Sequence, residues 1–347
     1  MALLTVLMLA LGGIAALAEA ESIEVPVLAP TDGDMALDGL ALDDVDIGEV
    51  ELGDIADLKL PEADVLLPEK GKESPVDTAN DGERVEINST NFPDKEFRNY
   101  VKAAYDLDGD GALSDGERLP VDFMRIGYDE SCVLVKCLNM KGLQFFPNLA
   151  SLFVAGTEEE PLPLKSVDLS ANTSLTSVVV MNTNLTSLDV TANEALTEIT
   201  LINNPLATLK LGKHSKLQSL VCDHNKLTAV DVTGCPSLVY LGCDNNKLTA
   251  LNLSKNTNLV NLHCGKNKLK TIDVSKCRKL QTLYSEANAI TKVDIAKLPS
   301  YLRNLARNSG YEVEDGLLYN IPEEDKGFCF DASIQLYDGS KRIYPTA

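Results

Sequence analysis

The sequence predicts a β-rich solenoid with a parallel concave sheet, preceded by a small helical cap and followed by a small β cap. Three observations predict it. Apolar residues recur in register every 21 residues from about Val167 to Lys297. One short run in each unit alternates apolar and polar positions, as a strand with one buried face does. An asparagine stands at the same place in five of the six units. A fixed period of this length marks stacked units, none of which can bury its apolar face alone.

The frame is read from Leu217, Leu220, Cys222, Asn225 and Leu227. Moving on by 21 gives Leu238, Leu241, Cys243, Asn246 and Leu248, then Leu259, Leu262, Cys264, Asn267 and Leu269, then Leu280, Leu283, Ser285, Asn288 and Ile290. Upstream stand Leu196, Ile199, Leu201, Asn204 and Leu206, and before them Leu175, Val178, Val180 and Leu185, with Thr183 in the asparagine's place. The last two apolar positions of L-x-x-L-x-L point inward, and the asparagine sits where the chain leaves the strand. There a buried amide can satisfy backbone groups that the turn leaves free. The second half of each unit carries further apolar pairs, among them Leu188 with Val190, Val230 with Val232 and Ile272 with Val274. Their β-branched content argues for extended structure on the convex side as well.

These six copies of L-x-x-L-x-L-x-x-N-x-L resemble the leucine-rich-repeat family, in particular its 21-residue bacterial surface type, over residues 138–300. The resemblance implies binding of macromolecules, usually proteins, and rarely catalysis.

From the N-terminus, an uncharged apolar run ends in Ala18-Glu19-Ala20, the small-x-small pattern of a secretory signal, so residues 1–20 read as a leader removed on export. No Lys or Arg precedes the run, and the rival reading is an uncleaved anchor, for which the run is slightly short. No later stretch is apolar enough to cross a membrane. Residues 21–86 read as a disordered acidic spacer. Over residues 21–90 there are 20 acidic and 4 basic side chains, a net of −16, so most of the formal −21 lies there. Residues 165–309 hold 17 basic and 10 acidic side chains, a net of +7. That distribution argues against nucleic acid as a partner of the whole chain. Lys226, Lys247 and Lys268 fall in the Asn-Lys-Leu turns, where a solvated edge accounts for them.

Residues 87–132 read as a calcium cap. Pro93 suits a first helical turn, and Phe97, Tyr100 or Val101, and Ala104 mark one helical face. The helix runs into Asp106-Leu107-Asp108-Gly109-Asp110-Gly111-Ala112-Leu113-Ser114-Asp115-Gly116-Glu117, a twelve-residue EF-hand loop. Asp106, Asp108 and Asp110 take positions 1, 3 and 5. Gly111 makes the sharp turn, Ala112 offers its carbonyl, Ser114 acts through water, and Glu117 closes the set with two oxygens. Ca²⁺ is therefore the expected ion. Pro120 makes the exit helix short, and no second loop follows, so weak binding of the kind found in extracellular modules is expected. The arrangement resembles the EF-hand-like caps that precede the repeats of internalin-type proteins.

Residues 133–309 form the solenoid, with degenerate units near Leu138 and Leu149 and an inserted loop from Gly156 to Lys165. Residues 310–347, rich in aromatic and alternating apolar positions, read as the β cap. The eight cysteines read mostly as reduced, buried thiols. Cys222, Cys243 and Cys264 occupy one inward column, and Cys235 and Cys277 share another with Asn193 and Asn256. Cys132 and Cys137 flank a short run that, as a strand, would hold them beyond disulfide reach.

No catalytic constellation is visible around His214, His224 or His263. The outward positions of the last three strands gather Tyr240, Gly242, Val260, Asn261, His263, Thr282 and Tyr284. Aromatics on an exposed sheet suit a protein or glycan ligand. The expected molecule is a secreted, monomeric, non-enzymatic binding protein; the alternative is a structural component of the producer's own cell envelope.

Overall fold

The computed structural model describes residues 82–127, 136–308, 312–314, 317–323, 326–331, 334–338 and 340–344. The leader, nearly all of the acidic spacer, and Cys132 lie outside the described residues.

Nine short strands make the parallel ladder that sets the frame. They are β3 (Phe123–Gly127), β4 (Ser151–Ala155), β5 (Ser177–Met181), β7 (Glu198–Ile202), β9 (Ser219–Val221), β10 (Tyr240–Gly242), β11 (Asn261–His263), β12 (Thr282–Tyr284) and β16 (Lys326–Asp331). From β5 onward the register advances by the repeat length, Ser177 facing Glu198, then Ser219, Tyr240, Asn261 and Thr282. Two antiparallel strands, β15 (Leu317–Glu323) and β14 (Glu312–Glu314), extend the sheet to eleven.

The inward residues form one continuous core. Leu220, Leu241, Leu262 and Leu283 are wholly buried, as are Leu217, Leu238, Leu259 and Leu280. Each such leucine contributes roughly 1.5–3 kcal/mol relative to leaving it in water. Cys222, Cys243 and Cys264 stand in the same column, buried and unbridged, and every cysteine among the described residues is a free thiol.

The asparagine column does the structural work expected of it. The Asn246 amide donates to the carbonyls of Cys222 at 2.8 Å and Cys243 at 3.2 Å, while its oxygen accepts from the N–H of Leu227 at 2.9 Å. Asn225, Asn267 and Asn288 repeat the pattern. Each amide thus ties one turn to the unit before it. In the first unit Thr183 donates its hydroxyl to Asn204 at 2.6 Å. A second polar column runs along the convex side. Asn193 and Asn256 each donate to two backbone carbonyls, and Cys235, Cys277 and His214 replace asparagine at the intervening positions.

The convex face forms strands only in part: the β-branched pairs Val230 with Val232 and Ile272 with Val274 lie outside any strand. β6 (Ser187–Asp189) pairs in parallel with β8 (Thr208–Lys210), and β13 (Lys292–Asp294) pairs with β17 (Gln335–Asp338) and through it with β18 (Lys341–Tyr344). Asp189, Asp231 and Asp273 each accept the N–H two residues on. The Thr191 and Thr233 hydroxyls, then the backbone N–H groups, hold Asp189 and Asp231 below the usual carboxylate range, and the Ser275 N–H followed by its hydroxyl does so for Asp273.

Three boundaries differ from the sequence expectation. The parallel sheet begins at Phe123, inside the segment assigned to the calcium cap, because Val121, Met124 and Ile126 already carry the L-x-x-L-x-L frame with Met124 and Ile126 buried. On the other side, β1 (Val85–Glu86) falls in the segment assigned to the spacer, yet it pairs antiparallel with β2 (Ala112–Leu113) of the acidic loop. A helix over Ser300–Asn308 follows the last full unit, in the segment assigned to the solenoid.

The N-terminal helix spans Lys95–Tyr105. Pro93 lies outside it; Asp94 is the capping residue, accepting the N–H groups of Glu96 and Phe97 at 3.0 Å each. The other oxygen of Asp94 accepts the N–H of Leu138 at 2.7 Å, joining the helix start to the solenoid. Phe97 and Val101 face the core, beside Phe92 and Phe146. Among the described residues no helix is long and apolar enough to cross a membrane.

Candidate functional sites: the acidic loop and the concave sheet

The acidic loop folds on its own carboxylates. Asp106 accepts the N–H of Gly111 at 3.1 Å, Asp108 that of Asp110 at 3.0 Å, and Asp110 that of Ala112 at 2.9 Å. Gly109 and Gly111 have φ of 76° and 87°, a region in which a side chain would be strained. Glu117 reaches back across the loop. One oxygen accepts from Leu107 at 2.7 Å, the other from the Ser114 N–H at 2.8 Å and hydroxyl at 2.9 Å. The exit helix is only Asp115–Arg118, as Pro120 requires.

Carboxylate oxygens of Asp106, Asp108 and Glu117 lie within 4.8 Å of one another. Oδ1 of Asp106 is buried and has no hydrogen-bond partner. A buried carboxylate oxygen without a donor, beside two further carboxylates, is the chemistry a hard cation would satisfy. These three residues fit Ca²⁺. The other predicted ligands are placed differently. Asp110 is ion-paired with Arg84, just ahead of β1. The Ser114 hydroxyl is directed at Glu117, and Ala112, expected to offer its main-chain carbonyl, lies in β2. The arginine could not have been found from the loop pattern, since it lies outside it.

On the concave sheet the structure brings Tyr240, His263 and Tyr284 together. The Tyr240 and His263 ring centroids are 5.3 Å apart and those of His263 and Tyr284 4.8 Å, both pairs tilted by about 45°. The parallel register explains this, placing Gly242, His263 and Tyr284 side by side on consecutive strands. Tyr240, Val260, Asn261, His263 and Tyr284 are half-buried. Two predicted contact residues are corrected. Thr282 is only 1% exposed, so it belongs to the packed part of the sheet. Gly242 is also buried. A Cβ there would stand 3.1 Å from an Asp223 oxygen and 3.3 Å from the Tyr240 ring, so the position offers room to its neighbours rather than a contact of its own.

Sequence reasoning missed the row beside the rings. Asp223, Asp244 and Glu286 share one column of the 21-residue frame, with Gly265 in the gap. Asp223 accepts the N–H of Asp244 at 2.8 Å, and Asp244 accepts that of Gly265. Burial pushes the Asp223 carboxyl up to about 6. Burial, with the charges of Asp223 and Glu286 beside it, pushes Asp244 to about 8, against the opposing pull of the Gly265 N–H and Lys266. Burial, and then the charges of Asp223 and Asp244, raises the Tyr240 hydroxyl too. The signal was legible as a second period-21 column.

The three histidines stand apart. His214 is buried in the convex column, His224 occupies a turn where its Nε2 meets the Asn245 amide at 3.1 Å, and His263 lies on the concave sheet.

No family model matches the chain, and no curated protein matches it. Among solved structures it is similar to the functional domain of InlJ from Listeria monocytogenes, which is described as including a cysteine ladder. The two are 25% identical over 64% of this chain and 56% of that one, with a TM-score of 0.35. The chain thus spans little more than half the length of that domain. It is also similar to internalin C2 from L. monocytogenes, 20% identical over 63% of this chain and 94% of that one, with a TM-score of 0.42. A leucine-rich-repeat protein from Leptospira interrogans is 19% identical over 46% and 48% of the two chains, with a TM-score of 0.35. With its 21-residue register, parallel sheet and bridging asparagine column, the chain is a β-rich leucine-rich-repeat solenoid.

Proposed function

We propose that this chain is a non-enzymatic extracellular binding protein that recognises a macromolecule, a protein in the first place, on its concave sheet. The observation that carries the reading is the contiguous row of Tyr240, His263 and Tyr284 across three rungs. Half-buried rings on a rigid sheet supply large contact area at little entropic cost. Calcium, held by Asp106, Asp108 and Glu117, would supply the positive charge that these carboxylates otherwise lack. Its role would be to order the loop that caps the open end of the stack.

The test is affinity capture with the full chain immobilised, from envelope and host-cell extracts, in millimolar calcium and again with chelator. A partner retained by the wild type and lost on Tyr240→Ala with Tyr284→Ala supports the concave reading. A partner retained equally by the double variant overturns it. Release by chelator would tie the order of the cap to binding. Location of the protein solely in the producer's own wall would favour the envelope role.

A further inference from the structure

We propose that the concave site takes a cationic side chain, an arginine of a partner protein, seated between the aromatic row Tyr240–His263–Tyr284 and the carboxylate row Asp223–Asp244–Glu286. The inference rests on the concave-face reading and names the chemistry of what that face receives.

Two independent features of the frame meet in the same few rungs. The rings occupy outward positions of β10, β11 and β12, and the carboxylates stand at the first outward position beyond β9, β10 and β12, with Tyr284 and Glu286 at consecutive outward positions of one rung. Earlier rungs carry Met181 and Ile202 in the carboxylate column, so the acidic row starts at Asp223, one strand before the first ring, Tyr240. Glycines make room for it. A Cβ at Gly242 would meet the Asp223 carboxylate at 3.1–3.2 Å, and one at Gly265 would meet that of Glu286 at 2.5 Å. The acids therefore lie back across the sheet beside the rings. Only Oδ1 of Asp223 and of Asp244 accepts a backbone N–H; the second oxygen of each accepts nothing among the described residues.

Charge complementarity selects the occupant. Asp223 and Asp244, one strand apart and partly withdrawn from water, repel one another, and a bound cation relieves that repulsion. Aromatic faces attract the same cation. A planar guanidinium satisfies both demands, giving paired N–H donors to carboxylates and a flat face to a ring. The acidic residues 21–90 carry the wrong sign to be the occupant. Among the described residues, the groups facing the site are Asp223, Asp244, Glu286, Lys266, Tyr240, His263 and Tyr284, with Cys329 beside Tyr284 on the next strand and the Cys222, Cys243 and Cys264 thiols on the buried side. A bound cation favours ionised carboxylates, so its affinity should rise with pH between about 6 and about 8, as Asp223 and then Asp244 lose their protons.

The experiment titrates the full chain with three short peptides that differ only in a central arginine, citrulline or glutamate, and with a neutral oligosaccharide, following ring resonances of Tyr240, His263 and Tyr284. The expected result is saturable binding of the arginine peptide alone. Asp223→Asn with Asp244→Asn should weaken it at least tenfold without lowering the melting temperature, and wild-type affinity should climb through the stated pH range. The pH series uses the native protein, so it stands even if the double variant unfolds. Binding of the citrulline peptide or the sugar at the same rings, indifferent to pH, would overturn the cation while leaving the concave site in place. Ring resonances that none of the four probes moves would overturn the cation as well, and only the extract capture with Tyr240→Ala and Tyr284→Ala would then bear on the concave site.

Discussion

At the scale of single residues, the frame shows where a side chain departs from what its position asks. His214 stands in a column that Asn172, Asn193 and Asn256 fill with an amide bonded to two carbonyls. Its ring is wholly buried near the carbonyls of Leu211, Val190 and Asn193, yet neither nitrogen closes a hydrogen bond. Burial lowers its pKa, outweighing those carbonyls and Glu194. The sign follows. The unfolded chain takes up a proton near the ordinary histidine value of about 6.5, and the folded chain does not until lower pH, so stability falls as pH drops below that value. His214→Asn should abolish this slope and gain about 1 kcal/mol at neutral pH; urea unfolding at several pH values checks both, and parallel profiles for variant and wild type would acquit His214. A second departure lies in the turn column, where Asn182, Asn203, His224, Asn245, Lys266 and Ala287 all have φ near +50°. Asparagine tolerates that region, whereas lysine and alanine adopt it at a cost. Lys266→Asn and Ala287→Gly should each raise stability by about 1 kcal/mol, measured as a higher denaturant midpoint at unchanged slope.

At the scale of elements, the acidic loop is paired in an unusual way. Its strand β2 finds a partner in β1, upstream of the cap helix, and Ile87 donates its N–H to Gly111 at 2.9 Å. Arg84, at the start of that arm, holds Asp110. Calcium would therefore compete with a built-in cation for one of its carboxylates. Arg84→Ala should tighten calcium binding several-fold by calorimetry, whereas Asp106→Asn should abolish it; an unchanged affinity in the arginine variant would show that Asp110 takes no part. The backbone of this element was legible in the sequence, because Gly111 marks the sharp turn and Pro120 keeps the exit helix short. The arm was not, because two residues of strand carry no period. The same contrast holds elsewhere. Asn225, Asn246 and Asn267 announced themselves by repetition, while the first strand, Phe123–Gly127, was hidden because the spacing to its neighbours is irregular. Phe123 faces Ser151, 28 residues on, and Ser151 faces Ser177, 26 residues on. Thr282 was misjudged for a different reason. Alternation says which face a residue is on but not what is packed over that face.

At the scale of the whole molecule, stability is shared between neighbouring rungs. Cys222, Cys243 and Cys264 lie wholly buried in the core that those rungs build, and burial, ahead of the nearby carboxylates, raises each thiol well above its ordinary value. Neutral, inaccessible thiols are poor nucleophiles. Iodoacetamide at neutral pH should leave all three unmodified in the native protein and modify all three in denaturant, read by mass spectrometry. Early modification of Cys264 alone would place the weakest rung near the C-terminal end.

The bridging amides also govern how the gene can change. Asn225, Asn246, Asn267 and Asn288 each accept from an N–H 19 residues before and donate to a carbonyl 24 residues before. Excising one whole unit from the middle of the array brings an identical donor to an identical acceptor, and the seam closes. Excising one residue more or fewer breaks that match at the seam. Recombination between copies can therefore lengthen or shorten the array only in whole rungs, and it carries the aromatic and acidic rungs along intact, so that reach and recognition can be inherited separately.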